Sequence, residues 1–360
     1  MSMIVSIGVC TPPYRLAQET TVQFARELFK ESFDDIERLL KVFDNGQIKE
    51  RYFSVPLEWF GRSHSFEEKN NMYIEKAIEF GINAITNCLT NLNFLSKPIP
   101  YEEIDAIFFI SSSGISTPSI EAKIMNKLPF NMHCKRIPIW GLGCAGGAAG
   151  ISRAYEYCKA FPKSKVLVLS VELCSLTFQR NDHSKSNLVG TSIFADGVAC
   201  TLICGDEANY EKKLECLPKI VATQSTLMPN SEDVMGWEIK NDGFFVIFSK
   251  DIPCIIRTWL RSNVEEFLTQ CNLSISDITQ FVAHPGGKKV LVAYREALGF
   301  PVKLTELSEY VLEHYGNMSS ATIFYVLMQF MEKRNKQNEY GLLTALGPGF
   351  SSELLLLHWE

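Results

Sequence analysis

The sequence predicts a layered α/β fold built from two similar halves. Three observations carry that prediction. Short apolar runs alternate with amphipathic stretches along the 360 residues, as strands interleaved with helices do. The same order of elements occurs twice, with corresponding positions 174 residues apart. A small-residue turn stands at the same point of each copy.

"MIVSIGVC" reads as the first strand, and the N-terminus lacks the basic lead and apolar block of a signal peptide. "EIDAIFFISSSG", from residue 103, and "DITQFVAHPGG", from residue 277, are each a polar lead-in, a buried strand and a small-residue loop. Ile104 corresponds to Ile278. Next come a strand, a turn and a helix, "IPIWGLGCAGGAAGISRAYEYCKAF". The later equivalent is "YVLEHYGNMSSATIFYVLMQFMEK", with Gly143 opposite Gly316 or Asn317. "SKVLVLSVE" matches "EYGLLTALGPG", and "DGVACTLICGD" matches "SSELLLLHWE" at a shorter offset, because the first copy carries an insertion at 174–194. The halves divide in the polar stretch 205–219, giving residues 1–210 and 211–360. A duplicated fold commonly places its site between the halves, where the loops carrying Cys144, His284 and Asn317 would meet.

Composition narrows the function. Hydrophobic residues make up 46% and charged residues 21%, enough apolar material for a full core. No apolar run reaches 18 residues, so no membrane span is expected. A net charge of −6 and a pI near 5.7 argue against nucleic-acid binding, and a polyanionic small substrate would need a local basic patch. The 11 cysteines form no C-x-x-C pair and no zinc-like cluster. They read as reduced core residues of a cytoplasmic protein, with Cys144 as the exception.

"GLGCAGGAAG", residues 141–150, admits two readings. Gly141, Gly143 and Gly146 fit a dinucleotide-binding turn, with Glu172 following 26 residues after Gly146 as a ribose acceptor. Against this, the motif lies deep in the chain, holds a cysteine and leaves the second-half loops without a role. The other reading makes Cys144 a nucleophile. A cysteine at a helix N-terminus faces unpaired N–H groups and the positive end of the dipole, and both favour thiolate. Such a nucleophile needs a histidine partner and an oxyanion site. His284 stands where a buried strand meets "PGG", and His314 precedes "GNMSS" by two residues. His64, His133, His183 and His358 sit in polar or terminal contexts and read as surface or packing residues. Asn317, after a glycine at the start of an apolar helix, reads equally as a helix cap.

Together "GLGCAGG", "AHPGGKKVL", "YGNMSSA" and "GPGFSSE" resemble the type III polyketide synthases, the chalcone synthase superfamily of the thiolase fold, from first strand to last. The pattern is most similar to the bacterial alkylpyrone-type enzymes. The resemblance implies a duplicated α-β-α-β-α layered fold, a homodimer, and a Cys144–His284–Asn317 triad. It implies that Phe194 is a gatekeeper within "NLVGTSIFADGVAC", read as a loop and strand. "GFFVIFSKDIP" would floor the starter pocket, and "IERLLKVFDNGQIKERYF" would be an N-terminal helix and turn. Arg38 and Lys41 fall where the family holds coenzyme A phosphates, while the third such position, near Asn45, is uncharged. Ser112, Thr177 and Ser319 align with small cavity-lining positions. Val246 stands where plant enzymes carry a second gatekeeper phenylalanine. Thr117 takes the place of the methionine that crosses their dimer interface.

The implied chemistry loads an acyl-CoA on Cys144 and extends it with malonyl-CoA, with no metal, nicotinamide or covalent pantetheine arm. Val246 leaves volume for a medium- to long-chain fatty acyl starter, leading to alkylpyrones. A ketoacyl synthase III-like enzyme using acyl carrier protein is the alternative. It usually shows "HQAN" where this chain shows "HPGG". A thiolase would need a second cysteine near the C-terminus, and none follows Cys271.

Overall fold

The structure is a computed structural model describing residues 2–333 and 337–360. The apolar runs become strands covered on both faces, which is why they read as unbroken hydrophobic stretches. In chain order the strands are β1 (Ser2–Cys10), β2 (Tyr14–Ala17), β3 (Glu50–Phe53), β4 (Ala106–Ile110), β5 (Lys135–Ile139), β6 (Lys165–Leu173) and β7 (Asp196–Gly205). There follow β8 (Pro218–Leu227), β9 (Met235–Lys240), β10 (Gly243–Phe248), β11 (Ile278–Ala283), β12 (Tyr340–Gly347) and β13 (Ser351–Trp359). The helices are α1 (Gln18–Phe29), α2 (Ile36–Gly46), α3 (Phe66–Leu89), α4 (Ile120–Met125), α5 (Gly146–Ala160) and α6 (Lys185–Ile193). The second half adds α7 (Ile252–Ile255), α8 (Arg261–Gln270), α9 (Lys288–Leu298), α10 (Glu306–Tyr315) and α11 (Thr322–Glu332).

The duplication is visible in the sheet. Among the described residues nine strands run in the order β11-β12-β13-β8-β1-β7-β6-β4-β5. In the first half β4 pairs parallel with β6, β6 antiparallel with β7, and β7 antiparallel with β1. In the second, β11 pairs parallel with β12, β12 antiparallel with β13, and β13 antiparallel with β8. The halves join where β1 meets β8, at Ser2 opposite Ile220 and Met3 opposite Lys219.

Successive side chains alternate across each strand. Ala106, Phe108, Ile110, Leu343, Ala345 and Leu355 face a shared core with α5 and α11. Ile107, Phe109, Leu167 and Leu169 face α3. Phe281, Leu342 and Leu354 face α8 and α9. The layers are therefore helix, sheet, central helices, sheet, helix, as expected.

Two expectations about individual elements are corrected. Among the described residues the second half has no counterpart of β5, because "YVLEHY" closes helix α10. Its buried Ser308, Val311 and Leu312 follow a helical spacing, and Glu306 and Glu309 stand in the acidic first turn. The segment read as a gatekeeper loop is helix α6, started by the Ser184 hydroxyl, which accepts the Asn187 N–H. It belongs to the expected insertion, which joins β6 to β7, whereas Pro348–Phe350 alone joins β12 to β13. No helix among the described residues is long and apolar enough to cross a membrane.

Candidate active site

Cys144 sits in a one-turn 3-10 segment, Gly143–Ala145, that feeds directly into α5. The turn requires its glycines. Gly143 has φ +47°, and a Cβ there would lie 2.7 Å from Pro348 Cδ. A Cβ on Gly147 would lie 2.2 Å from the Ser320 carbonyl oxygen. That close approach presses the nucleophile's turn against the equivalent turn of the other half, Ser319–Ala321. The Gly143 N–H donates to the Ser112 hydroxyl at 3.1 Å. The Cys144 thiol is directed at the Ser319 hydroxyl at 3.7 Å.

His284 lies just past the end of β11, its N–H donating to the Thr344 carbonyl at 2.8 Å. Asn317 is held by backbone on both sides. Its N–H donates to Ile193 O and its carbonyl accepts from the Ala195 N–H, both at 2.9 Å. Its side-chain oxygen accepts the Ser319 N–H at 2.9 Å, and its amide donates to Gly286 O at 3.1 Å. Asn317 therefore does cap a turn, as one reading has it. The cap leaves the amide nitrogen facing the loop that carries His284. His314 stacks on Tyr310 with Nδ1 near Tyr310 O and lines no cavity with Cys144.

Cys144, His284 and Asn317 line one cavity of about 450 Å3, within the range of about 300–1,000 Å3 common for small-molecule sites. Arg38, Lys41 and Asn45 from α2 line it too, as do Lys250, Lys288 and Lys289. Arg38 pairs with Asp35 and Lys288 with Glu309. Lys41, Lys250 and Lys289 are exposed and form no ion pair among the described residues. The chain is acidic overall, yet this cavity is rimmed by cations.

Burial controls the resting charges. It pushes the Cys144 thiol up to about 12, against the hydrogen bonds from Ser319 and Asn317 and its own N–H. It pulls the His284 imidazole down to about 3. The helix N-terminus thus does not by itself yield the thiolate expected from the sequence, because desolvation outweighs it. A proton passing from Cys144 to His284 creates two opposite charges together, and their attraction offsets part of both burial costs. Glu172, the candidate ribose acceptor, is fully buried and accepts from Ser112 N, the Ser113 hydroxyl and the Ser320 hydroxyl. It is occupied inside the protein, so the dinucleotide reading loses its second support.

The pattern for the N-terminal domain of chalcone and stilbene synthases matches residues 1–207, and that for their C-terminal domain matches residues 219–359. The chain belongs to this family. It is 54% identical over 362 residues to a Bacillus subtilis protein named "Putative chalcone synthase", covering 100% of this chain and 99% of that one. It is 32% identical to the 1,3,6,8-tetrahydroxynaphthalene synthase of Streptomyces peucetius over 99% of this chain and 93% of that protein. The crystal structure of the corresponding Streptomyces coelicolor enzyme, a bacterial type III polyketide synthase, superposes with a TM-score of 0.92 at 26% identity, covering 99% of both chains. The protein is a type III polyketide synthase, with the thiolase-like fold and acyl-transfer chemistry of that family.

The other positions that the chalcone synthase resemblance singles out fall in three places. Phe194, Val246 and Thr177 line a second, apolar cavity of about 50 Å3 that does not include Cys144. Phe194 and Phe248 pack with ring centroids 5.5 Å apart, and Phe248 lines the Cys144 cavity, so these rings form the wall between the two. Val246 therefore borders the far side of that wall, not the space beside the nucleophile. Ser112 lines neither cavity; its hydroxyl positions the nucleophile's turn, a correction to its expected role. Ser319 meets Cys144 directly. Thr117 is exposed and lines neither cavity.

Sequence reading missed Lys250, Lys289, Tyr294 and Arg51. Arg51 is 1% exposed and donates to Thr191 O at 2.7 Å and Phe194 O at 2.8 Å, pinning the end of α6 and Phe194. Burial lowers its pKa to about 9, with buried Asp196 opposing the fall. An arginine within "KERYF" gives no sequence signal for this role, since Thr191 and Phe194 lie more than 100 residues away.

Proposed function

We propose that this synthase condenses fatty acyl-CoA starters with malonyl-CoA to give alkylpyrones. The observation that carries the reading is the meeting of Cys144, His284 and Asn317 in one cavity with a cationic mouth. Arg38 and Lys41 hold the coenzyme A phosphates, and Lys250 and Lys289 supply from the second half the charge that Asn45 lacks.

His284 takes the thiol proton as an acyl-CoA enters, Cys144 attacks the thioester carbonyl, and the departing coenzyme A thiolate takes that proton back, leaving His284 neutral. Malonyl-CoA then binds in the same cavity. As the carboxylate leaves as CO2, the bond's electron pair passes to the thioester, and charge develops on its oxygen. Neutral His284 and the free N–H of the Asn317 amide donate to that oxygen. The enolate carbon attacks the acyl group on Cys144 and breaks its bond to sulfur, so the chain, two carbons longer, now rides on coenzyme A and returns to the Cys144 thiolate for the next round. Phe194 and Phe248 keep this step apolar, which favours loss of a charged carboxylate. Two or three extensions precede lactone closure.

The starter reading rests on the apolar cavity, lined by Phe24, Leu57, Phe60, Phe178, Phe244 and Val246. At about 50 Å3 it has room for a few waters' worth of volume, so a long tail must displace these side chains. We also propose that the enzyme acts as a homodimer. The test is incubation with malonyl-CoA and acyl-CoAs of graded length, with no carrier protein, and product identification by mass. Alkylpyrones from medium and long starters are expected. Turnover that needs malonyl carrier protein would move the chain to the ketoacyl synthase reading, and a preference for aromatic starters would remove the fatty acyl one.

A further inference from the structure

Two residues that line the Cys144 cavity, His284 and Tyr294, bury polar side-chain atoms with no partner among the described residues. Both ring nitrogens of His284, the Tyr294 hydroxyl and the Thr344 hydroxyl are buried with no hydrogen-bond partner among the described residues. Thr344 is tied to His284 through its carbonyl. Tyr294, on α9, lines the same cavity as Cys144 and His284 and is fully buried. Burial pushes its phenol up, and a Cys144 thiolate would add to that push, so the hydroxyl stands within electrostatic reach of the nucleophile.

Packing does not account for this hydroxyl. Tyr294 shares the buried face of α9 with Leu291 and Leu298 and meets Phe281 edge-on at 5.8 Å. A phenylalanine would make the same contacts without burying an unpaired polar atom, and such atoms in native proteins need an explanation. His284 offers one. A neutral imidazole carries one N–H and one lone pair, and the hydrogen bond at one nitrogen decides which nitrogen holds the proton. For His284 to donate toward a substrate oxygen, its other nitrogen must keep the lone pair, and that nitrogen is buried as well. Of the two unclaimed hydroxyls, only that of Tyr294 lines the cavity with it.

We infer that Tyr294 is a positioning residue for His284: its hydroxyl donates, through one buried water, to the ring nitrogen that keeps its lone pair. The inference rests on the reading of His284 as an oxyanion donor. Tyr294 does not touch substrate; it fixes the tautomer that does.

The experiment uses full-length protein labelled with 15N-histidine. The chain has six histidines, and His284→Ala identifies the signal of interest. In the wild type, the two ring nitrogens of His284 should show the widely separated shifts of a single neutral tautomer. In Tyr294→Phe they should move toward each other as the tautomers mix. Malonyl-CoA decarboxylation should fall about 10–100-fold in kcat with KM unchanged, the scale on which losing a partner that orients a metal-bound histidine lowers activity. Mixed tautomers already in the wild type would overturn the inference without any variant, as would unchanged His284 shifts in Tyr294→Phe. If instead His284→Ala leaves decarboxylation intact, the oxyanion reading fails, and that result is separate from the tautomer measurement.

Discussion

The two halves of the sheet share a strand order but differ in one connection. Between β6 and β7 the chain spends residues 174–195 on a 3-10 turn, helix α6 and Phe194; between β12 and β13 it passes through Pro348–Phe350 alone. The long connection supplies Cys174, Thr177, Asn187, Gly190 and Phe194 to the apolar cavity, while the short one brings Pro348 against Gly143. The facing 3-10 turns differ in the same spirit: one presents a thiol, the other the amide of Asn317. The two halves share a frame, and they depart from it where one presents Cys144 and the other His284 and Asn317 to one cavity.

The sharpest way to separate the two sides is to remove the thiol. Cys144→Ala should abolish condensation, since no covalent acyl intermediate forms, while slow malonyl-CoA decarboxylation persists through His284 and Asn317. Mass spectrometry of the protein after acyl-CoA addition should show no adduct. An acylated Cys144→Ala protein would reassign the nucleophile.

Asn317→Ala strikes the other side. Losing one oxyanion donor should lower decarboxylation about 10²–10³-fold, and condensation with it. Acyl transfer to Cys144 should be affected less, which a radiolabelled starter would show. A decarboxylation rate equal to wild type would leave Asn317 as the cap of its turn and nothing more.

The frame was legible in the sequence because strands buried on both faces leave unmistakable runs, such as "AIFFI" and "VLVLSVEL", and because both copies keep their order. Cys144, His284 and Asn317 were legible because each stands beside small residues, His284 past the end of a strand and the other two at turns that open helices. The missing β5 counterpart was hidden because "YVLEHY" is apolar enough for a strand, and its acidic helical start lies upstream at Glu306 and Glu309. Helix α6 had a visible signal in Ser184 before Asn187, which went unread. Arg51, Lys250 and Tyr294 could not be found that way. Arg51 holds Thr191 and Phe194 from across the chain, and only the folded structure brings Lys250 and Tyr294 to the cavity of Cys144. The resting charge of Cys144 was also out of reach, since a helix N-terminus is a local feature and burial is not.

Among their buried titratable groups, the two halves hold a pair with opposite pH signatures. His284 is pulled from about 6.5 to about 3, so its contribution to stability is full above 6.5 and is lost as pH falls toward 3. Glu172 is pushed from 4.5 to about 7 by burial, so its contribution is full below 4.5 and is lost as pH rises toward 7. Between pH 4.5 and 6.5 the two slopes, each up to about 1.4 kcal/mol per pH unit, should oppose each other. Glu172→Gln should leave stability rising with pH across that window, and His284→Asn should leave it falling. Denaturant melts at several pH values would show this; parallel profiles for both variants would mean that other groups set the pH dependence.

The smallest expected effect tests the insertion's own cavity. Val246 faces it from β10, and a Cβ on Gly190 would sit 3.4 Å from Val246 Cγ1 and 3.4 Å from the Phe194 ring, so these side chains already abut the end of α6. Val246→Phe fills space that a growing or incoming tail needs, on the side of the wall away from Cys144. A starter short enough to stay beside Cys144 should react almost as before. One that places two more methylenes in the cavity loses about 0.8 kcal/mol for each, or roughly fifteenfold in relative kcat/KM. Competition between short and long acyl-CoAs reads that ratio directly. A uniform loss across chain lengths would instead mean that Val246 acts through the Phe194–Phe248 wall, and that the acyl tail lies in the larger cavity with the nucleophile. The two halves would then share one substrate chamber, and the long connection would serve only to close it.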